Sequence, residues 1–219
     1  MTRANDTMKP VFLRALRVLR GSLFLVAVSL MPACGTSPPE RYFTLSSEAP
    51  PLTAPAQNVA AFSVIVGPVT VPEIVDRTQF VLRSSPSRVE IDELARWAAP
   101  LKSEIPRVVA DHLARGLEGA RVSTSAQRAA ALPDYRVLID VQRFESIPGE
   151  SATLQAQWEV RGRIGAPLAG RFIATEPAGA GYEDLAAAHS RALAALSRDI
   201  AAAIAQLRAA QPAPLDASR

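Results

Sequence analysis

One cysteine, Cys34, is all the chain contains, so no disulfide can form within it. The fold therefore rests on packing rather than on covalent staples. Histidine is nearly as scarce: His112 and His189 each stand alone on a predicted helix and read as helix-surface or helix-edge positions. The sequence lacks GxSxG, HExxH, CxxC and a Walker loop, and Gly179-Ala180-Gly181 lacks the rest of a dinucleotide fingerprint. These absences remove the usual sequence signs of a hydrolase, a metalloenzyme or a nucleotide-binding enzyme. The reading is of a non-enzyme with no metal and no cofactor. A membrane-spanning run is missing as well. The uninterrupted apolar core Gly21 to Met31 is 11 residues, whereas a hydrocarbon core of about 30 Å needs about 20.

Basic charge is lacking where it would matter for nucleic acid. The whole chain has 24 basic and 21 acidic residues, and pI about 9.5. Residues 1–33 hold five of the basic groups (Arg3, Lys9, Arg14, Arg17, Arg20) and one acid, Asp6. Residues 34–219 keep 19 basic against 20 acidic groups, a net charge of −1. Such a balance exerts no global pull on phosphates, so no nucleic-acid partner is expected.

What is present begins with Leu23 to Cys34, LFLVAVSLMPAC. A basic start, an apolar core and a small-residue end form the layout of a secretory signal peptide. Met31-Pro32-Ala33-Cys34 resembles the lipobox of bacterial lipoproteins, with Pro32 in place of the more usual small residue. That resemblance implies that residues 1–33 are removed and that Cys34 carries covalent lipid. Gly35 follows the cysteine; in lipoproteins that use aspartate there for inner-membrane retention, glycine implies the outer membrane. Residues 34–40 would then be the lipidated cysteine and a short tether. Its six residues Gly35 to Glu40 span roughly 20 Å when extended, which keeps the domain close to its membrane.

The remainder reads as one α+β domain, residues 41–208, with a loose tail at 209–219. Arg41 to Leu45 suggests a first strand, and Ser46 to Asn58 a Pro- and Ala-rich loop. Ala61 to Val71 is strand-like, with a bulge or bend expected at Gly67-Pro68. Gln79 to Arg83 and Arg88 to Ile91 flank Ser84-Ser85-Pro86-Ser87 as a hairpin. A helix is expected from Ser103, as N-cap, to Leu117, with Pro106 in its first turn. Arg121 to Thr124 suggests a short strand. Asp134 to Phe144, Thr153 to Arg161 and Arg171 to Thr175 form a three-strand meander. Leu154, Ala156, Trp158 and Val160 face inward in its middle strand. A second helix, Tyr182 to Leu207, carries an apolar stripe through Leu185, Ala192, Leu196 and Ile200 and covers the sheet. The architecture expected is an antiparallel-rich mixed sheet with two helices packed on one face.

Two constellations stand out as functional candidates. One is Gly67-Pro68-Val69-Thr70-Val71-Pro72 followed by Asp76-Arg77-Thr78-Gln79; the other is Glu90-Ile91 with Arg96-Trp97-Ala98-Ala99-Pro100-Leu101. Trp97 reads either as a core plug before the helix or as a partner-facing anchor. Asp76 and Arg77 read as a pair that fixes a turn; alternatively the segment Pro72 to Gln79 that carries them reads as part of a partner-facing or self-associating edge. The candidate contact residues are thus Pro72, Asp76, Arg77, Gln79, Arg96 and Trp97. Acids at Asp92-Glu93 and Glu183-Asp184 read as helix-start residues.

Together with Cys34, Arg41-Tyr42-Phe43-Thr44-Leu45, Asp134-Tyr135-Arg136-Val137, Phe144 and Tyr182-Glu183-x-Leu185, these stretches resemble the PqiC family of auxiliary lipoproteins of ABC-type transport. The likeness covers essentially the whole chain after Cys34 and lies in the order and spacing of the motifs; Pro32 and Pro106 are departures. The resemblance implies a non-enzymatic lipoprotein on the periplasmic face of the outer membrane. It also implies as partners an MCE-domain protein and an inner-membrane transport component that move lipid between the two membranes. Alternatives are a lipoprotein that activates or scaffolds an envelope enzyme such as a cell-wall synthase, and a lipid-anchored hydrolase.

Overall fold

The computed structural model describes residues 38–47, 62–124 and 132–210. The expected signal peptide, Cys34, most of the tether and of the loop to Asn58, and the tail from 211 lie outside them. The fold class is α+β, as the patterning indicates, but the strands divide into two sheets rather than one. A three-stranded sheet has the order β1-β4-β3, and a five-stranded sheet the order β5-β2-β6-β7-β8.

The small sheet is made of β1 (Arg41–Phe43), β3 (Gln79–Ser85) and β4 (Arg88–Trp97). β1 runs parallel to β4, and β3 pairs with β4 as the expected hairpin. β4 continues well past Ile91, because Asp92 is not a helix-start acid. Its Oδ1 accepts the backbone N–H groups of Leu94 (2.8 Å) and Ala95 (3.2 Å). The register jumps there, from Phe80 opposite Asp92 to Gln79 opposite Arg96. A side chain thus satisfies the backbone that the bulge frees.

The large sheet contains β2 (Phe62–Thr70), β5 (Ala120–Thr124), β6 (Tyr135–Ile147), β7 (Ser151–Gly162) and β8 (Leu168–Pro177). β2 lies parallel to both β5 and β6, and β6-β7-β8 is the antiparallel meander. The bulge expected at Gly67-Pro68 falls between Val66 and Val69. Gly67 has φ 121° there, a conformation that side-chain-bearing residues avoid.

Both helices cover one face of this sheet. α1 (Leu101–Gly116) begins three residues earlier than expected. Pro100 is its N-cap and no side chain caps it, so Ser103 is helical and Pro106 lies within the helix. Proline lacks the N–H that would bond four residues back, and Lys102 is the residue deprived. α2 (Tyr182–Ala209) buries Leu185, Ala192, Leu196 and Ile200 as the stripe requires; Leu193 and Ile204 widen it because α2 also packs on α1. His189 overturns its sequence reading: it is fully buried.

Trp158 faces inward with Ala156 and Val160, but it is only half-buried. Its indole lies across Gly170 of β8, where a Cβ would collide with Cζ2 and Cε2 of the ring. Trp158→Ala is therefore expected to cost about 1–2 kcal/mol, less than a full core deletion. Gly170→Val should cost about 1–3 kcal/mol by driving the ring out of place. The double variant should recover much of the second loss. Urea unfolding of the four proteins tests this; strict additivity of the two changes would mean the ring and Gly170 do not touch.

A candidate docking surface on the small sheet

All six candidate contact residues lie on or beside the small sheet. Pro72 leads from β2 into a 3-10 turn, Glu73–Val75, in which Val75 is buried and Ile74 is 45% exposed. Asp76 does not pair with Arg77. Its carboxylate is 2.6 Å from Lys102 Nζ in the first turn of α1, so it ties the turn to the helix. Arg77 is half-buried, and its Nε has no hydrogen-bond partner. Gln79 donates to the Glu93 carboxylate (3.1 Å). Arg96 bonds the Glu93 carbonyl (3.1 Å) and pairs with Glu40 (3.4 Å), which also accepts the Tyr42 hydroxyl. The end of the tether is thus pinned to β4.

Trp97 resolves as the core plug. It is 3% exposed, stacks on Phe80 with centroids 4.1 Å apart, and meets Phe144 edge-on at 5.9 Å. It offers no surface to a partner.

Register places Tyr42, Arg96 and Gln79 in one row, then Val81 with Ile91, then Arg83 with Val89, all on the same face. A groove of about 230 Å³ opens between this face, the 3-10 turn and β6, lined by Pro72, Ile74, Val81, Val89, Arg83 and Glu145 among others. Arg83 closes one side through Glu145 (2.7 Å). Seven large apolar side chains are exposed among the described residues, and four of them, Tyr42, Ile74, Val89 and Ile91, lie on the small sheet and its turn. An apolar centre with a charged rim is the composition of an interaction surface. The candidate stretches Pro72 to Gln79 and Glu90-Ile91 took in Ile74 and Ile91 of the centre, but the residues singled out were those of the rim. The available signal was Val81 beside Leu82, which puts apolar groups on both faces of β3, and Val89 with Ile91, which share the outer face of β4. A larger, shallower groove of about 520 Å³ on the outer face of the large sheet has a mixed lining, with Pro68 and Leu138 beside Asp140, which is bonded to the Thr70 hydroxyl, and Arg171.

The ionisable groups with displaced pKa values serve the scaffold. Tyr182 donates to Asp92 (2.5 Å) while Arg41 lies over its ring at 5.0 Å; this joins α2, β4 and β1. The bond from Tyr182, with those from Leu94 and Ala95, holds Asp92 below the usual carboxylate range. Burial and that same carboxylate push Tyr182 up to about 12. Burial would raise Glu104, but bonds from Arg107 (2.9 Å) and Thr44 (2.6 Å) hold it low. Ser146 and His189 form a hydroxyl–imidazole pair (Oγ–Nε2 2.9 Å) behind the groove. Burial lowers His189 to about 3, and its Nδ1 has no partner. The pair is buried, and no acid among the described residues bonds the other ring nitrogen of His189 to orient it.

Two solved structures share this fold at 18% identity. One, a crystal structure of an uncharacterized protein, has TM-score 0.63 and covers 76% of this chain and 99% of its own. The other, protein XCC0632 from Xanthomonas campestris, has TM-score 0.61 and covers 78% and 100%. No curated protein matches. The model of the ABC-type transport auxiliary lipoprotein component family matches residues 43–201, from the end of β1 into the last third of α2. The chain belongs to that family. The resemblance drawn from the motifs and the α+β class both stand.

Proposed function

We propose that this chain is an outer-membrane lipoprotein facing the periplasm, held by lipid on Cys34, and a non-catalytic auxiliary subunit of an MCE/ABC-type system that moves lipid between the membranes. The observation that carries the reading is the match to transport auxiliary lipoproteins across nearly the whole described domain. The sequence around Cys34 supports the anchor. Each acyl CH₂ in the bilayer contributes about 0.8 kcal/mol and a single chain binds only marginally, so a cysteine bearing several acyl chains suffices where one would not. In this reading the small-sheet face docks the MCE-domain protein: Ile74, Val89 and Ile91 form the contact, and Pro72, Asp76, Arg77, Gln79 and Arg96 surround it.

Two variants test this. Cys34→Ser should release the protein from the lipidated outer-membrane pool, leaving an inner-membrane-associated precursor or a soluble periplasmic form with an unchanged melting temperature. Fractionation and mass spectrometry of the mature N-terminus read that outcome. Ile74→Glu with Val89→Glu should abolish co-purification with the MCE protein while the melting curve stays within a few degrees. A wild-type N-terminus without lipid would overturn the anchor. Undiminished co-purification of the double variant would overturn the docking face, and co-purification with a cell-wall synthase instead would favour an activator role.

A further inference from the structure

The large sheet ends in an open edge. β8 is its last strand, ten residues long, and it pairs with β7 from Ser151–Pro177 to Val160–Leu168 without a register shift. Every second residue of such a strand directs its N–H and C=O away from the sheet. No backbone hydrogen bond among the described residues meets that side of β8. Edges are ordinarily blunted by shortness, charged side chains, proline, bulges or a covering element. β8 is ten residues long and regular in register; its charges are Arg171 and Glu176, and its one proline is the last residue, whose carbonyl accepts from Arg191 (2.7 Å), so the stretch from Ala169 to Thr175 carries a single charge. The other edges are modest by comparison. β1 has three residues and β5 five, and β3 is linked to β6 through Arg83 and Glu145.

The side chains of β8 indicate what covers it. On the solvent face the row is Ala169, Arg171, Ile173 and Thr175, and Ile173, near the centre of the strand, is 62% exposed. Glu176 is engaged by Arg191 (3.1 Å), and Arg171 has no ion pair among the described residues. We propose that β8 pairs antiparallel with β8 of a second copy, about a two-fold axis at Ile173, to give a continuous ten-stranded sheet. That register sets Ile173 against Ile173 of the second copy. It places Arg171 opposite Thr175, so the arginines do not face each other, and Ala169 opposite Pro177, where the ladder ends for want of an N–H. The strand is self-complementary, as an isologous contact requires. This pairing uses a different surface from the docking face and is independent of the transport reading.

The test uses the full chain with Cys34→Ser, which leaves no native thiol. Sedimentation equilibrium should give a dimer, and adding Ile173→Lys should halve the mass with the melting temperature unchanged, since Ile173 is not part of the core. A single cysteine at each of two positions reads the register. Facing Cα atoms lie about 4.5–5.5 Å apart, within disulfide range, so Ile173→Cys should cross-link on mild oxidation. The two Ala169 positions lie eight residues apart along the ladder, roughly 26 Å, so Ala169→Cys should not cross-link. A monomeric parent, a dimer that survives Ile173→Lys, or equal cross-linking at both positions would overturn the proposal.

Discussion

Trp97→Ala is expected to lower the unfolding free energy by about 3–5 kcal/mol, the range for removing a large aromatic from a packed core. The magnitude follows from where the ring sits. Trp97 stacks on Phe80, which meets Phe43 and Tyr182 at 5.5 and 5.1 Å; on its other side it meets Phe144, which stacks on His189 at 3.7 Å. One side chain therefore joins the small sheet, the large sheet and α2. No neighbour can move into the space without abandoning another contact, so the cavity persists. Trp97→Phe should recover part of the loss, because it keeps a ring against Phe80. Urea denaturation of the three proteins measures this, and a loss below about 1 kcal/mol would place Trp97 outside the core.

Stability should fall as pH drops below 6.5, with His189 as a principal cause. In the unfolded chain its imidazole takes a proton near the ordinary value of 6.5; in the folded protein burial delays this to about 3. The unfolded state therefore binds the extra proton throughout that window. Stability is complete above pH 6.5 and declines by about 1.4 kcal/mol per unit below it until about pH 3. At pH 5 the loss from His189 alone is about 2 kcal/mol. His112 is lowered by its own burial and by Arg115, and it adds in the same direction. Asp92, Asp134 and Glu104 are held low, so their contributions disappear only as pH approaches and passes their ordinary values of 3.8 and 4.5. Between pH 7.5 and 5 the slope thus belongs to the histidines. His189→Phe with Ser146→Ala removes the imidazole and the hydroxyl that would otherwise be left unpaired. It should remove the His189 share of that slope in urea titrations at the two pH values. An unaltered slope would show that His189 is open to water in the native state.

The parts of the fold legible in the sequence are those governed by a single period. β6 and β7 alternate because one face meets the helices, and α2 repeats every three to four residues because it lies on that face. Where one residue departed from the period, the reading failed. Asp92 ended the predicted strand because Asp92-Glu93 read as helix-start acids, yet its carboxylate caps the bulge that lets β4 continue. Ser103 looked like an N-cap, but α1 starts at Leu101 without a side-chain cap. His189 looked like a helix-edge residue because a lone polar group ordinarily faces water; its hydrogen bond to Ser146 and the Phe144 ring over it are visible only in three dimensions. The docking candidates show the same divide. The motifs located the small sheet, but depth decides which residues serve: Trp97 is withdrawn into the core, and Ile74 and Val89, which no motif marked, are at the surface.

The order in which the chain is synthesised bears on how long its apolar strands stay uncovered. Synthesis presents residues N-terminus first, yet the two earliest strands depend on the latest partners. β1 is parallel to β4, and its Phe43 and Arg41 rest on Tyr182 at the head of the final helix. β2, central in the large sheet, acquires neighbours only when β5 and β6 arrive. Pairings of such long sequence separation close slowly. Val64 and Val66 of β2 therefore wait for β6 to pair, and Phe43 and Phe80 wait for Tyr182 to cover them until the last helix emerges. A nascent chain halted before Tyr182 has no closed core to retreat into, and for that interval its safety rests with whatever holds unfolded polypeptide as it emerges.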